Sequence, residues 1–168
     1  FLRANSNAQA GLNQHLAVLQ MIDRSAPDAT STRAHTLLNI GMSYEQMSRY
    51  DSALAYVQRS IPLFEQVYDT TEAAFSNIYN SLAVCYYRTN QYEEAKKYYE
   101  LSIHIARKKI GANSVDLGNS LNNLSGIYRF QEDYEKAIAL TGEALQIFQN
   151  LEDDEGISRS YYALGIYY

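Results

Sequence analysis

Apolar residues recur along this chain with a helical period, and the pattern itself repeats. Leu37, Ile40, Gly41 and Tyr44 fall at i, i+3, i+4 and i+7. Tyr79, Leu82, Ala83 and Tyr86 repeat that spacing, as do Leu121, Leu124, Ser125 and Tyr128. Such spacing lines four residues along one face of an α-helix. The segments starting at Leu37, Tyr79 and Leu121 align without gaps, and a fourth, YYALGIYY from Tyr161, stops part-way. The small residues Gly41, Ala83, Ser125 and Gly165 are equivalent, at intervals of 42, 42 and 40 residues.

A small residue on the apolar face lets a neighbouring helix come close. Twelve residues after each of the first three stands another small one, Ala53, Ala95 or Ala137. Each therefore belongs to a second helix packed on the first. Tyr50, Tyr92 and Tyr134 precede these alanines by three residues and are expected to plug the start of that second helix. Ser48 and Asn90 read as N-caps, followed three residues later by Asp51 and Glu93 in the first turn. Glu132 is a poorer cap, so Asp133 beside it is the alternative. Asp69-Thr70-Thr71-Glu72 and Asn113-Ser114-Val115-Asp116 read as starts of the next first helices, with Gly111 ending the helix before. Pro62 lies inside a second helix and predicts a kink.

One helical hairpin cannot bury its apolar face alone, whereas stacked hairpins share a continuous core. The expected fold is all-α, an α-α superhelix (solenoid) of antiparallel helix pairs with about seven helices. We read 1–168 as a single domain of such repeats. It holds a helix of a divergent preceding repeat over 8–22, repeats over 33–69, 71–110 and 114–151, and the first helix of a truncated repeat over 155–168.

These residues resemble the tetratricopeptide repeat family. The resemblance rests on the L-x-x-[I/L]-[G/A/S]-x-x-Y pattern, the tyrosine before each second helix, and Ala53, Ala95 and Ala137. The period of 42 exceeds the family's usual length, and the long repeats are similar to those of kinesin light chain and of bacterial signalling proteins. The resemblance implies that first helices line a concave groove.

Composition narrows the function. The net charge of −5 argues against nucleic acid, which needs a basic stripe. No apolar run approaches the ~20 residues of a membrane span. Gly 8 and Pro 2 are low, which favours long elements. Residues 1–6 lack the marks of a signal peptide, and Phe1 in place of Met reads as an excised fragment. We expect a cytoplasmic location. The lone Cys85 excludes an intramolecular disulfide and reads as a small core residue.

No catalytic or phosphate-binding motif is present, and His15, His35 and His104 belong to three different helices. The expectation is a protein with no catalytic residues, no metal and no cofactor. Cys85 has no histidine at an equivalent depth to activate it. The run Glu152-Asp153-Asp154-Glu155 reads as a solvated loop with a cap rather than a cation site.

The asparagines are more informative. Asn39, Asn80, Asn122 and Asn123 sit mid-helix in first helices, with Asn77 and Asn119 one turn earlier than Asn80 and Asn122. Asn costs roughly half a kcal/mol against Ala in a helix interior. Asn80 and Asn122 are repeat equivalents, as are Asn77 and Asn119, so the cost recurs at matching positions. The resemblance places these positions in the groove. An Asn amide donates and accepts, so it can pair with the backbone of an extended peptide whatever its sequence. The alternative is that these amides are merely solvated or bond within the scaffold. Arg88, Arg129 and Arg159 also lie on first helices, where they would favour an anionic ligand. Some family members hold a terminal carboxylate with a lysine that would fall at Leu38, Asn80 or Asn122; none is basic, so that mode is not expected.

The function expected is a non-catalytic scaffold that binds a protein or an extended peptide in its groove. The alternative is a ligand-sensing regulatory segment of a larger bacterial signalling protein, such as a sensor kinase, transcription regulator or protease. Tyr161, Leu164 and Tyr168 form an apolar stripe on the last helix, and self-association through that uncapped helix is expected.

Overall fold

The computed structural model describes residues 2–25, 29–70, 73–110 and 114–167. The described residues form eight α-helices: α1 (Leu2–Ser25), α2 (Thr30–Gln46), α3 (Tyr50–Glu65), α4 (Ala73–Arg88), α5 (Tyr92–Ile105), α6 (Val115–Phe130), α7 (Tyr134–Asn150) and α8 (Asp154–Tyr167). A π-helical turn, Ala106–Ile110, continues α5. No strand occurs among the described residues, so the all-α reading holds. Thr71, Glu72, Gly111, Asn113 and Tyr168, to which the sequence assigns cap, turn or stripe positions, lie outside the described residues.

The chain divides into two compact units. One comprises Phe1–Thr70 and Val84–Gln91, the other Thr71–Ala83 and Tyr92–Tyr168. In the first unit α1 packs on α2 and α2 on α3. The close approach expected at Gly41 is present. A Cβ there would stand 2.5 Å from Val57 Cγ2 and 3.2 Å from the Ala53 carbonyl oxygen. Leu37, Ile40, Ala53, Val57 and Phe64 are buried around this crossing. His35 packs edge-on against Phe64, with ring centroids 4.8 Å apart, and its Nδ1 lies 2.8 Å from the Ser31 carbonyl.

The second unit packs α6 on α7, α7 on α8 and α5 on α6. Its core includes Tyr99, Leu117, Leu121, Ile127 and Phe148, all fully buried. Buried hydroxyls cross it in a chain. Ser76 Oγ donates to the Ser102 carbonyl at 3.1 Å, and Ser102 Oγ donates to the Ser76 carbonyl at 2.9 Å. This reciprocal clasp ties α4 to α5. Ser102 Oγ lies 3.5 Å from Ser120 Oγ on α6. At the small position of α6, Ser125 Oγ donates to the Asn122 carbonyl at 2.7 Å and accepts from Thr141 Oγ1 of α7 at 2.9 Å. Each hydroxyl thereby avoids the penalty of a buried unpaired polar group.

The turns correct the expected capping. Ser48, Asn90 and Glu132 are not N-caps: they have φ of 59°, 62° and 61° and stand in the left-handed region. Each ends a first helix. Ser48 N donates to the Glu45 carbonyl and Arg49 N to the Tyr44 carbonyl, and Asn90–Gln91 and Glu132–Asp133 repeat both bonds. This is the Schellman closure, which satisfies the last carbonyls of a helix. Glu152, with φ 55°, closes α7 in the same way. True N-caps follow one residue later where chemistry permits. Asp133 Oδ1 accepts from Lys136 N at 3.2 Å, and Asp153 Oδ1 from Gly156 N at 3.2 Å. The Lys136 ammonium, 2.6 Å from Asp133 Oδ2, together with the backbone bond, holds the Asp133 carboxyl below its ordinary range. Ser114, inside the stretch expected to start α6, is its N-cap and accepts from Leu117 N at 3.2 Å. Tyr134, expected to plug the start of α7, is 47% exposed instead.

Candidate functional site

First helices of the second unit carry the repeated asparagines. On α4, Asn80 accepts through Oδ1 from Ser120 Oγ of α6 at 3.0 Å. On α6, Asn122 donates through Nδ2 to Ser160 Oγ of α8 at 2.9 Å. Asn80 and Asn122 are repeat equivalents, and so are Ser120 and Ser160. The same amide–hydroxyl contact thus recurs from one first helix to the next. One turn earlier on α6, Asn119 Oδ1 accepts from Arg159 Nη2 of α8 at 2.9 Å.

The second reading of these amides, bonding within the scaffold, therefore describes Asn80, Asn119 and Asn122. It does not exhaust them. A carboxamide has two ends, and each of these asparagines is held by one. Asn122 Oδ1 is buried and has no hydrogen-bond donor. Asn77 and Asn123 are exposed on α4 and α6. Arg159 is half-exposed; it spans Asn119 and the Phe148 ring, 5.8 Å from the centroid, with Glu155 4.0 Å away.

Arg129 stands two turns beyond Asn122 on α6, and its guanidinium lies over the Phe130 ring at 4.7 Å. Phe130 in turn stacks on Tyr92 with centroids 5.4 Å apart. Asn39 and Arg88 belong to the first unit, where both are exposed. The second unit thus brings together Asn80, Asn119, Asn122 and Arg159 across α4, α6 and α8.

Sequence reasoning missed Ser120 and Ser160. Their only signal was repeat equivalence with each other. Pairing them with asparagines 40 and 38 residues away requires knowing which first helices lie side by side.

Two clefts lie elsewhere. One of about 370 Å³ in the first unit is lined by Ser48, Arg49, Tyr50, Asp51, Ser52 and Thr89. Another, of about 270 Å³ in the second unit, has Ile103, Leu121, Leu124 and Leu140 as an apolar floor and Glu100, His104 and Arg107 at its rim. Arg107 is engaged by both Glu143 carboxylate oxygens, at 2.6 and 2.7 Å. Among the described residues no three His, Cys, Asp or Glu side chains converge on a metal position. Burial first, and then the Glu45 charge, push the Cys85 thiol up to about 12. It is a core residue with no thiolate to offer near neutrality. No described helix is long and apolar enough to cross a membrane.

No curated protein matches the chain. Solved structures do match its fold. BtubC (BKLC) from P. vanneervenii superposes with a TM-score of 0.82 at 19% identity, over 96% of this chain and 65% of that one. This chain thus spans less than two thirds of BtubC. A kinesin light chain-like protein from Podosopora anserina with nearly identical TPR-like repeats superposes with a TM-score of 0.72 at 16% identity, covering 97% of this chain and 82% of that one. A point-substituted form of the same Podosopora anserina protein gives 0.73. At such identities the likeness shows the fold, an all-α solenoid of helical hairpins. The tetratricopeptide repeat model matches residues 32–108, 74–150 and 116–168 in overlapping registers. With the 42-residue hairpins and their small-residue crossings, that match makes this chain a member of the tetratricopeptide repeat family.

Proposed function

We propose that the chain is a non-catalytic scaffold that binds an extended peptide or protein segment along the face of its first helices. The residues offered for contact are Asn39, Asn77, Asn80, Arg88, Asn119, Asn122, Asn123, Arg129 and Arg159. The observation that carries the reading is the recurrence of a half-used amide. Asn80 and Asn122 are each anchored by one end of the amide to a serine of the next first helix. An anchored amide has already lost rotamer freedom, so a ligand bond to it costs less entropy to form. A peptide backbone supplies both a donor and an acceptor to such a row, independently of its side chains.

The test is selection from a random linear peptide library against the whole chain, followed by titration of the selected peptide. Asn80→Ala and Asn122→Ala should each weaken binding by about 0.5–3 kcal/mol. A folded double variant that binds the selected peptide as tightly as the parent would end the reading.

A further inference from the structure

The small residues at the hairpin crossings are covered. Gly41, Ala83 and Ser125 of the first helices and Ala53, Ala95 and Ala137 of the second are all buried. Two glycines in the same register are open. Gly165 on α8 continues the first series and Gly11 on α1 the second, and a Cβ added to either meets nothing within 4 Å. At Gly41, by contrast, it would meet Val57 of the facing helix at 2.5 Å.

The faces around the two glycines are bare in the same way. Three 42-residue periods carry Val18 and Met21 of α1 onto Ala144 and Ile147 of α7. Met21 is 67% exposed and Ile147 4%; Val18 is exposed and Ala144 fully buried. On α8, Tyr161 is 56% exposed, whereas its equivalent on α6, Leu121, is fully buried. α1 packs on α2, as α7 does on α8. α7 also packs on α6, and no described helix takes that place beside α1. Nor does any lie against α8 where α7 lies against α6.

We propose that α1 and α8 are the two halves of one hairpin, completed between copies of this chain: α8 of one copy receives α1 of another. Gly165 then meets Gly11 as Gly41 meets Ala53, and His15, at the position of Val57, fills the space beside it. Val18, Met21 and Tyr161 are covered together, and removal of their apolar surface from water drives the contact. None of these six residues carries a carboxylate, an ammonium or a guanidinium, so no obligate charge is buried. The two faces differ, so the contact is heterologous, and every copy offers both halves.

Sedimentation velocity of the whole chain over a concentration series tests this. The mass should rise with concentration. Met21→Glu blocks only the α1 face and Gly165→Glu only the α8 face; both sites are exposed, so both variants should keep the parent's helical circular dichroism. Each variant alone should associate at least about tenfold more weakly, because the contact would bury an unpaired carboxylate. An equal mixture of the two should regain the parent's strength of association but stop at two chains, since one intact α1 face is left to meet one intact α8 face. A parent that stays monomeric at about 1 mM would overturn the proposal. So would a single variant that associates as strongly as the parent, which marks a symmetric contact, or a mixture that remains monomeric.

Discussion

Phe148 on α7 lies so close to Gly118 on α6 that a Cβ at Gly118 would stand 2.6 Å from its Cζ. The ring is fully buried, and Gly156 on α8 approaches it more closely still. Two glycines from successive first helices therefore accommodate one aromatic ring. Gly118→Ala should destabilise the chain by about 1–3 kcal/mol through overpacking. Gly142, mid-way along α7, meets nothing within 4 Å. Gly142→Ala should stabilise by roughly 0.5–1 kcal/mol, because Ala is the better helix former. Urea unfolding of the two variants beside the parent checks both signs.

The left-handed residues invite the opposite substitution. Glu132 holds φ 61° at the end of α6, a conformation that strains an L-residue. Glu132→Gly relieves that strain and should raise stability by up to ~1 kcal/mol. Glu132→Val, with a β-branched side chain in the same turn, should lower it. Thermal unfolding that ranks Val above Gly would contradict the Schellman assignment.

The two anchored asparagines should differ when truncated. Asn80→Ala leaves the buried Ser120 hydroxyl without its 3.0 Å acceptor. That loss, about 0.5–1.5 kcal/mol, outweighs or balances the gain in helix propensity. Asn122→Ala leaves Ser160 still donating to Gly156 and removes an unpaired buried oxygen. It should be neutral or stabilising. Ala95→Leu is the packing control, overfilling a fully buried crossing at a cost of about 1–3 kcal/mol. Equilibrium denaturation of the three variants orders them; equal destabilisation by both asparagine changes would refute the asymmetry.

Cys85 links stability to alkaline pH. Its thiol is fully buried and held up to about 12, against 9.0 for the unperturbed group. Between those values the folded chain keeps a proton that the unfolded chain releases. Stability contributed by the protonated thiol is therefore fully present below about pH 9 and is lost as pH rises towards 12. Cys85→Ser or Cys85→Ala should flatten that part of the pH profile. Alkylation of the folded chain at pH 8 should proceed only at the rate of unfolding, and fast labelling of folded protein would disprove the burial.

The helical hairpins were legible because their signals are local. Leu37, Ile40, Gly41 and Tyr44 meet on one face within two turns of a helix, so spacing alone identifies them. The approach of the Ala53 helix to Gly41 followed from repetition of small residues at a fixed interval, while the contact with Val57 came only from the structure. The turn chemistry was harder. Ser48 and Asn90 have the side chains of N-caps, but the helix before them ends in a closure that needs a left-handed residue, and that need prevailed. Asp133 and Ser114, whose oxygens fall beside free N–H groups, cap as their chemistry suggests.

The candidate site divides in the same way. Repetition along the chain determined that Asn80 and Asn122 belong together. Which atoms they use was decided only by tertiary structure. Ser120 and Ser160 reach them across 40 and 38 residues. A sequence records donors and acceptors but not their allocation, because allocation is set by distances between helices that meet only after folding. The same holds for Phe148, whose ring and the two glycines beside it share no local pattern.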